Sequence, residues 1–174
     1  MKGFEVSVDE LLAAKDERIK RLKQMASRHP DALICYKLNV PGPVKTNDMI
    51  LNLFHAGLKA WLEGVNSHSL TLLEEKQLNE KTGPEYFAAI MGDPLEIKKM
   101  TAKIEETHPL GRLFDFDVMD QHLTAYGRTE IGFEPRKCLI CDENAFVCGR
   151  SRAHELSELT EKISELATRY TSLK

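Results

Sequence analysis

Two aspartates separated by one residue are the clearest candidate for chemistry in the sequence. Asp115 and Asp117 lie in a run, residues 112–119, whose alternating apolar and polar residues predict a β-strand with both carboxylates on one face. The apolar side chains of the opposite face are Phe114, Phe116 and Val118. Two neighbouring carboxylates repel each other at neutral pH unless a cation lies between them. The pair is therefore either a Mg²⁺ site suited to displacement at phosphorus, or two ordinary solvent-exposed acids.

Four potential metal ligands occur in the last third of the chain. Cys138 and Cys141 have the spacing of a zinc knuckle, and Cys148 and His154 follow them. The second pair departs from the usual pattern, because its members lie six positions apart and only six residues separate the two pairs. This departure makes zinc the less favoured of two functional interpretations of the segment.

The other interpretation is a polyphosphate site built from the basic residues of the same segment. Guanidinium groups donate in pairs to phosphate oxygens, so several of them around one loop suit a triphosphate. The candidate donors are Arg136, Lys137, Arg150, Arg152 and His154. Lys45, which precedes a predicted helix start, is a further candidate because helix N-termini attract anions. Each of these residues is also compatible with an ordinary exposed side chain.

The elements that must position these residues follow the order β-α-β-β-α-β. Apolar or alternating runs predict strands at residues 32–40, 69–74, 85–91 and 112–119, and helical spacing predicts helices at 46–62 and 93–108. This order predicts an α+β fold of the ferredoxin-like type, a four-stranded antiparallel sheet with two helices on one face. A capping box at Ser7 and Glu10 predicts an additional N-terminal helix.

The remainder of the chain is a Cys- and Arg-rich loop followed by an amphipathic helix. From residue 153 onward, apolar side chains recur at 3-4-3-4 spacing: Leu156, Leu159, Ile163, Leu166 and Tyr170. We expect this helix to pack on the core of the same domain, because the stripe is too short for an independent coiled coil. The chain is predicted to be one domain, residues 1–174, with a core at about 32–119 and an extension at about 120–174.

Composition argues against several classes of partner. The chain has 24 Lys and Arg against 27 Asp and Glu, a net charge of -3, and no polybasic tract, which disfavours nucleic acid. It has no apolar stretch of the roughly 20 residues needed to cross a bilayer. Its first residues become acidic before any apolar run, unlike a signal peptide. We therefore expect a cytoplasmic protein, without a membrane partner, whose thiols are reduced or bind metal.

The two motif regions resemble a known family. Gly111-Arg-Leu-Phe-Asp-Phe-Asp-Val118 resembles the first signature of the apo-citrate lyase phosphoribosyl-dephospho-CoA transferases, and Pro135-Arg-Lys-Cys-Leu-Ile-Cys141 with Cys148-Gly-Arg-Ser-Arg-Ala-His154 resembles the second. Asn39-Val-Pro-Gly-Pro-Val-Lys45 is similar to part of the N-terminal pattern of the family. Between the two signatures, residues 121–128 depart from the family pattern.

The resemblance implies a transferase of the nucleotidyltransferase type that uses triphosphoribosyl-dephospho-CoA as donor. A serine hydroxyl of the citrate lyase acyl carrier (gamma) subunit attacks the phosphorus next to the ribose, and pyrophosphate leaves. The first signature maps onto Arg112, Asp115 and Asp117, and the second onto Arg136, Arg150 and His154. We expect Arg112 and the aspartates to be catalytic, with Mg²⁺ bound by the aspartates, and the basic residues, including Lys45 and Arg152, to bind phosphate.

Two other functions remain open at this point. One is the equivalent transferase for the malonate decarboxylase carrier, although the signature favours the citrate lyase branch. The other is a zinc-stabilised module that binds the carrier without chemistry, in which the paired aspartates would be dispensable.

Overall fold

A four-stranded antiparallel sheet with helices on both faces forms the framework of the protein in the computed structural model, which describes residues 2–172. The elements are α1 (Val8–Ala26), β1 (Ala32–Leu38), α2 (Asp48–Ser67), β2 (Thr71–Glu80), β3 (Gly83–Met91), α3 (Pro94–Thr107), β4 (Phe114–Met119), α4 (Ala145–Ser151) and α5 (Leu156–Ser172). The strand order β2-β3-β1-β4, antiparallel throughout, confirms the predicted ferredoxin-like arrangement.

Several predicted boundaries are wrong for identifiable physical reasons. β2 continues from Thr71 to Glu80, although its second half is polar, because it is an edge strand whose charged side chains face solvent. β4 begins at Phe114 rather than at residue 112, because Gly111–Leu113 forms a 3-10 turn. Gly111 is required there, since a Cβ atom would collide with backbone atoms of Glu105 at the end of α3.

The main core lies between the sheet and helices α2 and α3. The Tyr36 ring stacks between Phe54 and Phe116, with ring centroids 4.8 and 4.3 Å away. Gly57 of α2 makes room for the Tyr36 hydroxyl, which donates to Phe54 O at 3.2 Å. Phe114, Phe116 and Val118 are buried in this core, which confirms that Asp115 and Asp117 point to the opposite face of β4.

Helix α1 covers part of that opposite face. Its Leu22 and Met25 pack on Leu33, Cys35 and Phe87. The capping box at the start of α1 is present, as predicted. Cys35 is buried in this smaller cluster and is the one cysteine far from the motif region in sequence. The aspartate pair lies on the same face and remains partly exposed.

Helix α5 returns to the main core. Ile163 is fully buried there, and Leu166, Ala167 and Tyr170 pack against the same cluster. The predicted docking of the amphipathic helix on the core of its own chain is therefore confirmed. Within residues 2–172, no helix is both long and apolar enough to cross a bilayer.

Candidate active site

Lys37 lies between the two aspartates. β1 and β4 pair with Lys37 opposite Asp115, so the lysine side chain emerges on the same face as both carboxylates. Lys37 Nζ donates to Asp115 Oδ2 at 2.5 Å and to Asp117 Oδ2 at 2.7 Å. A lysine of the chain itself thus supplies a cation that the repulsion between the carboxylates calls for.

This pairing changes the titration of both partners. Burial alone would lower the pKa of Lys37, but Asp115 and Asp117 outweigh burial and raise this pKa above its usual value. Burial would raise the pKa of Asp115, whereas Lys37 and Arg136 lower it. Lys37 is therefore an ammonium group beside the Asp115 carboxylate at neutral pH. Asp117 is the more accessible acid, with 47% of its side chain exposed against 30% for Asp115.

Charged side chains of α3 fix the free edge of β4. Glu105 Oε1 accepts from the Phe116 N–H at 3.0 Å, and Lys98 Nζ donates to Phe116 O at 2.7 Å. Glu105 and Lys98 are both buried. Their bonds satisfy peptide groups that an edge strand would otherwise leave unpaired. They also stabilise β4 in the register that sets its carboxylates beside Lys37.

Two arginines of the extension reach Glu105. Arg128 Nη1 and Arg136 Nη2 each lie 2.8 Å from Glu105 Oε2, and the glutamate side chain is 1% exposed. A buried carboxylate needs such partners, because an unpaired charge in a protein interior is costly. Arg136 Nη1 also lies 3.5 Å from Asp115 Oδ1. Arg136 therefore links the buried glutamate to the aspartate pair.

A pocket of about 770 Å³ forms where the core meets the extension. The loop after β1 contributes Asn39 and Gly42, the turn before β4 contributes Arg112, and the extension contributes Arg152 and His154. Its volume falls within the range of about 300–1,000 Å³ that small-molecule sites occupy. The structure thus brings three of the predicted site residues to one cavity.

The environment of Arg112 favours an anion in this pocket. Burial lowers the pKa of Arg112, and the nearby cations Arg136 and Arg128 lower it further. An anionic ligand would replace the hydration that the half-buried guanidinium has lost and would offset the repulsion from its neighbours. The pocket therefore suits a negatively charged ligand such as a polyphosphate.

Three thiols and an imidazole form a cluster beside the pocket. The ligand atoms of Cys138, Cys141, Cys148 and His154 all lie within 4.8 Å of one another, so the cluster could hold a metal ion. Burial raises the pKa of the Cys138 thiol, but the N–H groups of Cys141 and Ile140 outweigh burial and lower this pKa to about 7. Burial and the neighbouring thiols raise the pKa of Cys148 to about 12.

The other predicted residues do not line the large pocket: Asp115, Asp117 and Arg136 belong to the cluster around Lys37, and Lys45 and Arg150 lie elsewhere. Lys45 lines a smaller cavity of about 150 Å³ together with Lys37 and Arg18, and its Nζ donates to Val40 O at 2.6 Å. Arg150 is exposed on α4, with its guanidinium carbon 5.5 Å from the centre of the Phe146 ring. Phosphate binding by Lys45, Arg150 and the other basic residues stays a prediction.

Two residues of the site were missed by the sequence interpretation. Lys37 interrupts an apolar strand on the face opposite to Tyr36, which is a signal that a second charged group must lie nearby. Glu105 follows Ile97 and Thr101 at intervals of four residues, so it falls on the buried side of α3. A charged residue at such a position indicates a buried ion pair.

Comparison with known proteins assigns the chain to a family. A family model described as apo-citrate lyase phosphoribosyl-dephospho-CoA transferase matches residues 6–170. The chain belongs to this family. The matched range contains both signatures and all the residues of the aspartate site, the pocket and the thiol cluster, so the resemblance noted in the sequence is confirmed.

Individual relatives carry the same description. Proteins named apo-citrate lyase phosphoribosyl-dephospho-CoA transferase from Escherichia coli O1:K1 / APEC and from Shigella boydii serotype 18 (strain CDC 3083-94 / BS512) are each 32% identical to the chain over 161 residues. Each alignment covers 92% of this chain and 88% of the relative. The transferase and these relatives are therefore similar over nearly their whole lengths.

Replacing Lys37 by Met should destabilise the transferase in a pH-dependent way. The variant leaves two carboxylates without their shared cation, and we expect a loss of about 1–2 kcal/mol at neutral pH, moderated by their partial exposure. The wild-type pairing lowers the pKa of Asp115, so its stabilisation is present above about pH 3.9, the value for an unfolded aspartate, and is lost as the pH falls through the folded pKa. Urea unfolding across this pH range measures both effects.

Lys81→Met is the matched control. Lys81 pairs with Glu10 at 2.8 Å on an exposed surface, where solvent screens the charges and an ion pair contributes little to stability. The difference in stability between the wild-type protein and Lys37→Met should shrink on acidification, because protonation relieves the carboxylate repulsion. A difference that grows as the pH falls, or an equal loss in the control, would contradict the assigned role of Lys37.

Proposed function

We propose that the protein transfers the phosphoribosyl-dephospho-CoA group from triphosphoribosyl-dephospho-CoA to a serine of the citrate lyase acyl carrier (gamma) subunit. The family description and the names of the relatives support transfer to apo-citrate lyase. The structural observation that carries the proposal is the pocket lined by Arg112 and Leu113, the residues that directly precede the strand carrying Asp115 and Asp117. We propose a cytoplasmic, single-domain enzyme over residues 1–174, of which 1, 173 and 174 lie outside the described residues.

The reaction is a substitution at phosphorus. The serine oxygen forms a bond to the phosphorus next to the ribose, and the bond from that phosphorus to the pyrophosphate oxygen breaks. The electron pair of the broken bond leaves with pyrophosphate, and the serine proton passes to a base. The product is a phosphodiester on the carrier, which makes the enzyme nucleotidyltransferase-like in its chemistry.

Arg112 and Arg152 are proposed to bind the phosphates of the donor. Both line the pocket, and both can donate two hydrogen bonds to one phosphate group. Arg150 and Lys45 are retained as further candidates for phosphate contact, and His154 is retained through the ring nitrogen that does not face Cys141. Arg136 already pairs with Glu105 and Asp115, so it is better suited to holding the aspartates in place than to a direct phosphate contact.

Asp117 is proposed to accept the serine proton. It is the more exposed aspartate, whereas Asp115 is bound from one side by Lys37 and faces Arg136 on the other. A carboxylate whose pKa is lowered is a weak base. Asp115 contacts two cationic side chains and Asp117 contacts one, so Asp115 is the less suitable proton acceptor. Lys37 in turn keeps Asp117 in place through its ion pair, without occupying both carboxylate oxygens.

The expected Mg²⁺ ion fits this site through one aspartate better than through two. Lys37 already binds Oδ2 of both carboxylates, and Arg136 faces the other oxygen of Asp115. Mg²⁺ commonly binds proteins through one or two carboxylates and takes its other ligands from water and substrate phosphates. Asp117 is therefore the proposed protein ligand, with Asp115 the less favoured second one. Lys37 leaves Asp117 Oδ1 free, and this oxygen has two lone pairs, one for the ion and one for the serine hydroxyl. When bound, the ion would neutralise charge on the departing pyrophosphate.

Intact-mass spectrometry of the carrier tests the reaction. After incubation with the enzyme, triphosphoribosyl-dephospho-CoA and Mg²⁺, the citrate lyase carrier should gain the mass of one phosphoribosyl-dephospho-CoA group. Asp117→Asn should slow this gain by about 10²–10⁴-fold, the usual contribution of a general base, while the melting temperature stays close to that of the wild type. Asp142→Asn is the control, because Asp142 is 99% exposed and lies 3.6 Å from Lys137 in a surface pair.

The outcome also separates the competing functions. Transfer unaffected by Asp117→Asn would rule out the assigned base. No transfer to a competent citrate lyase carrier, with transfer to the malonate decarboxylase carrier, would reassign the acceptor. Binding of the carrier without transfer to either acceptor would favour the non-catalytic module.

Arg112→Ala should weaken donor binding. Loss of a hydrogen-bonded charge contact costs about 1.5–3 kcal/mol, so we expect KM for the donor to rise by about 10–150-fold. Steady-state kinetics at saturating carrier measures this effect, and Arg169→Ala, an exposed position on α5, is the control. An unchanged KM for the donor in Arg112→Ala would show that the phosphates bind elsewhere.

A further inference from the structure

The thiol cluster has the dimensions of a tetrahedral metal site. Cys141 Sγ lies 3.6 Å from Cys148 Sγ and 3.2 Å from His154 Nε2, and all four potential ligand atoms are within 4.8 Å of one another. Zinc bonds of about 2.3 Å to sulfur and about 2.0 Å to nitrogen set ligands about 3.5–3.8 Å apart around a tetrahedron. The observed separations approach these values, so little movement would be needed to bind an ion.

The backbone of residues 136–145 is folded in the manner of a knuckle around Cys138. The Cys138 N–H donates to Glu143 O at 2.7 Å, and the Ala145 N–H donates to Arg136 O at 2.8 Å. The N–H groups of Ile140 and Cys141 point to the Cys138 sulfur. These bonds, all within residues 136–145, hold the Cys138 and Cys141 thiols close together.

A short helix and a left-handed turn bring the other two ligands to the knuckle. Asn144 caps α4 by accepting from the Phe146 N–H at 2.8 Å, which orients Cys148 toward the knuckle. α4 ends at Arg152 with φ of 51°, in the left-handed region, and the Ala153 N–H donates to Cys148 O at 3.1 Å. This reversal returns His154 to the thiols. The positive φ of Arg152, a non-glycine residue, is unfavourable and must be compensated by contacts elsewhere.

Apolar packing supplies little of that compensation. In the segment 120–154, all of which is described, Cys148 is the one buried residue, and Phe146 and Val147 are largely exposed. Segments too small to form an apolar core are commonly stabilised by disulfides or by metal ions. The cluster lies where such a cross-link would stabilise the segment.

We propose that Cys138, Cys141, Cys148 and His154 bind one structural zinc ion, which fixes the wall of the 770 Å³ pocket. Soft thiolate ligands select zinc over Mg²⁺, and four protein ligands leave no open position for a substrate or a catalytic water. Cys138, Cys148, Arg152 and His154 line the pocket, so the ion would position Arg152 without contacting the donor. The spacing that disfavours zinc in the sequence is accommodated by α4, which occupies the interval between Cys141 and His154.

Metal analysis of the untagged, purified protein tests the site without reference to transfer activity. We expect one equivalent of zinc per chain. Replacement by Co²⁺ should give the visible absorption bands of a tetrahedral ion and thiolate-to-cobalt charge transfer. Cys141→Ala should lose both zinc and the cobalt spectrum, whereas Cys35→Ala should keep them, because Cys35 is buried in β1 among apolar residues. His154→Cys, which preserves four ligands, should also retain the ion.

Hydrogen exchange separates a lost metal from a lost fold. Chelation or Cys141→Ala should increase exchange in residues 136–154 while the strands β1, β3 and β4 stay protected. A protein that takes up neither zinc nor cobalt would overturn the proposal. So would a Cys141–Cys148 disulfide in the protein isolated under reducing conditions, or rapid alkylation of Cys141 in a metal-free but active enzyme. A protein that binds zinc but does not transfer the group to the carrier would support this metal site and contradict the proposed function instead.

Discussion

The ion pairs of Glu105 are the interaction on which the rest of the structure depends. This carboxylate is almost fully buried, and its charge must be compensated where it lies. One of its oxygens bonds the edge of β4 through the Phe116 N–H, and the other pairs with Arg128 and Arg136. Because both arginines belong to the extension, a single buried charge ties the extension to the sheet. Arg136 also contacts Asp115, whose partner Lys37 binds Asp117 as well.

This series of alternating charges, from Glu105 to Asp117, positions the side chains of the candidate active site. The extension has little apolar packing of its own before α5, so its position over β4 is set by charge pairing, whereas the proposed zinc ion would fix the internal shape of residues 138–154. The large pocket opens along the line where the extension meets the loop after β1 and the turn at Arg112. The donor phosphates would thus meet arginines from both parts, close to the strand that carries the aspartates. Disturbing either the charge pairs or the proposed zinc site would alter the pocket without unfolding the sheet.

The sequence predicts what depends on periodicity and misses what depends on register. Alternation in residues 112–119 is sufficient to separate Phe116 from Asp115 and Asp117, and the stripe through Ile163 is sufficient to dock α5. Lys37 could not be assigned to the aspartates, because that requires knowing that β1 pairs with β4 and at which residues. The polar half of β2 reads as a loop because an edge strand has little to bury. The sequence could not show that His154 reaches the three thiols, because spacing along the chain does not record the turn at Arg152.

Phosphorus-31 NMR of the complete reaction tests the central claim most directly, because it observes the bond that breaks and the bond that forms. Substitution at the phosphorus next to the ribose predicts that pyrophosphate and a protein-bound phosphodiester appear in equal amounts as the donor signals disappear. Release of inorganic phosphate alone, or loss of the donor without a phosphodiester on the carrier, would contradict the assignment of this site to transfer.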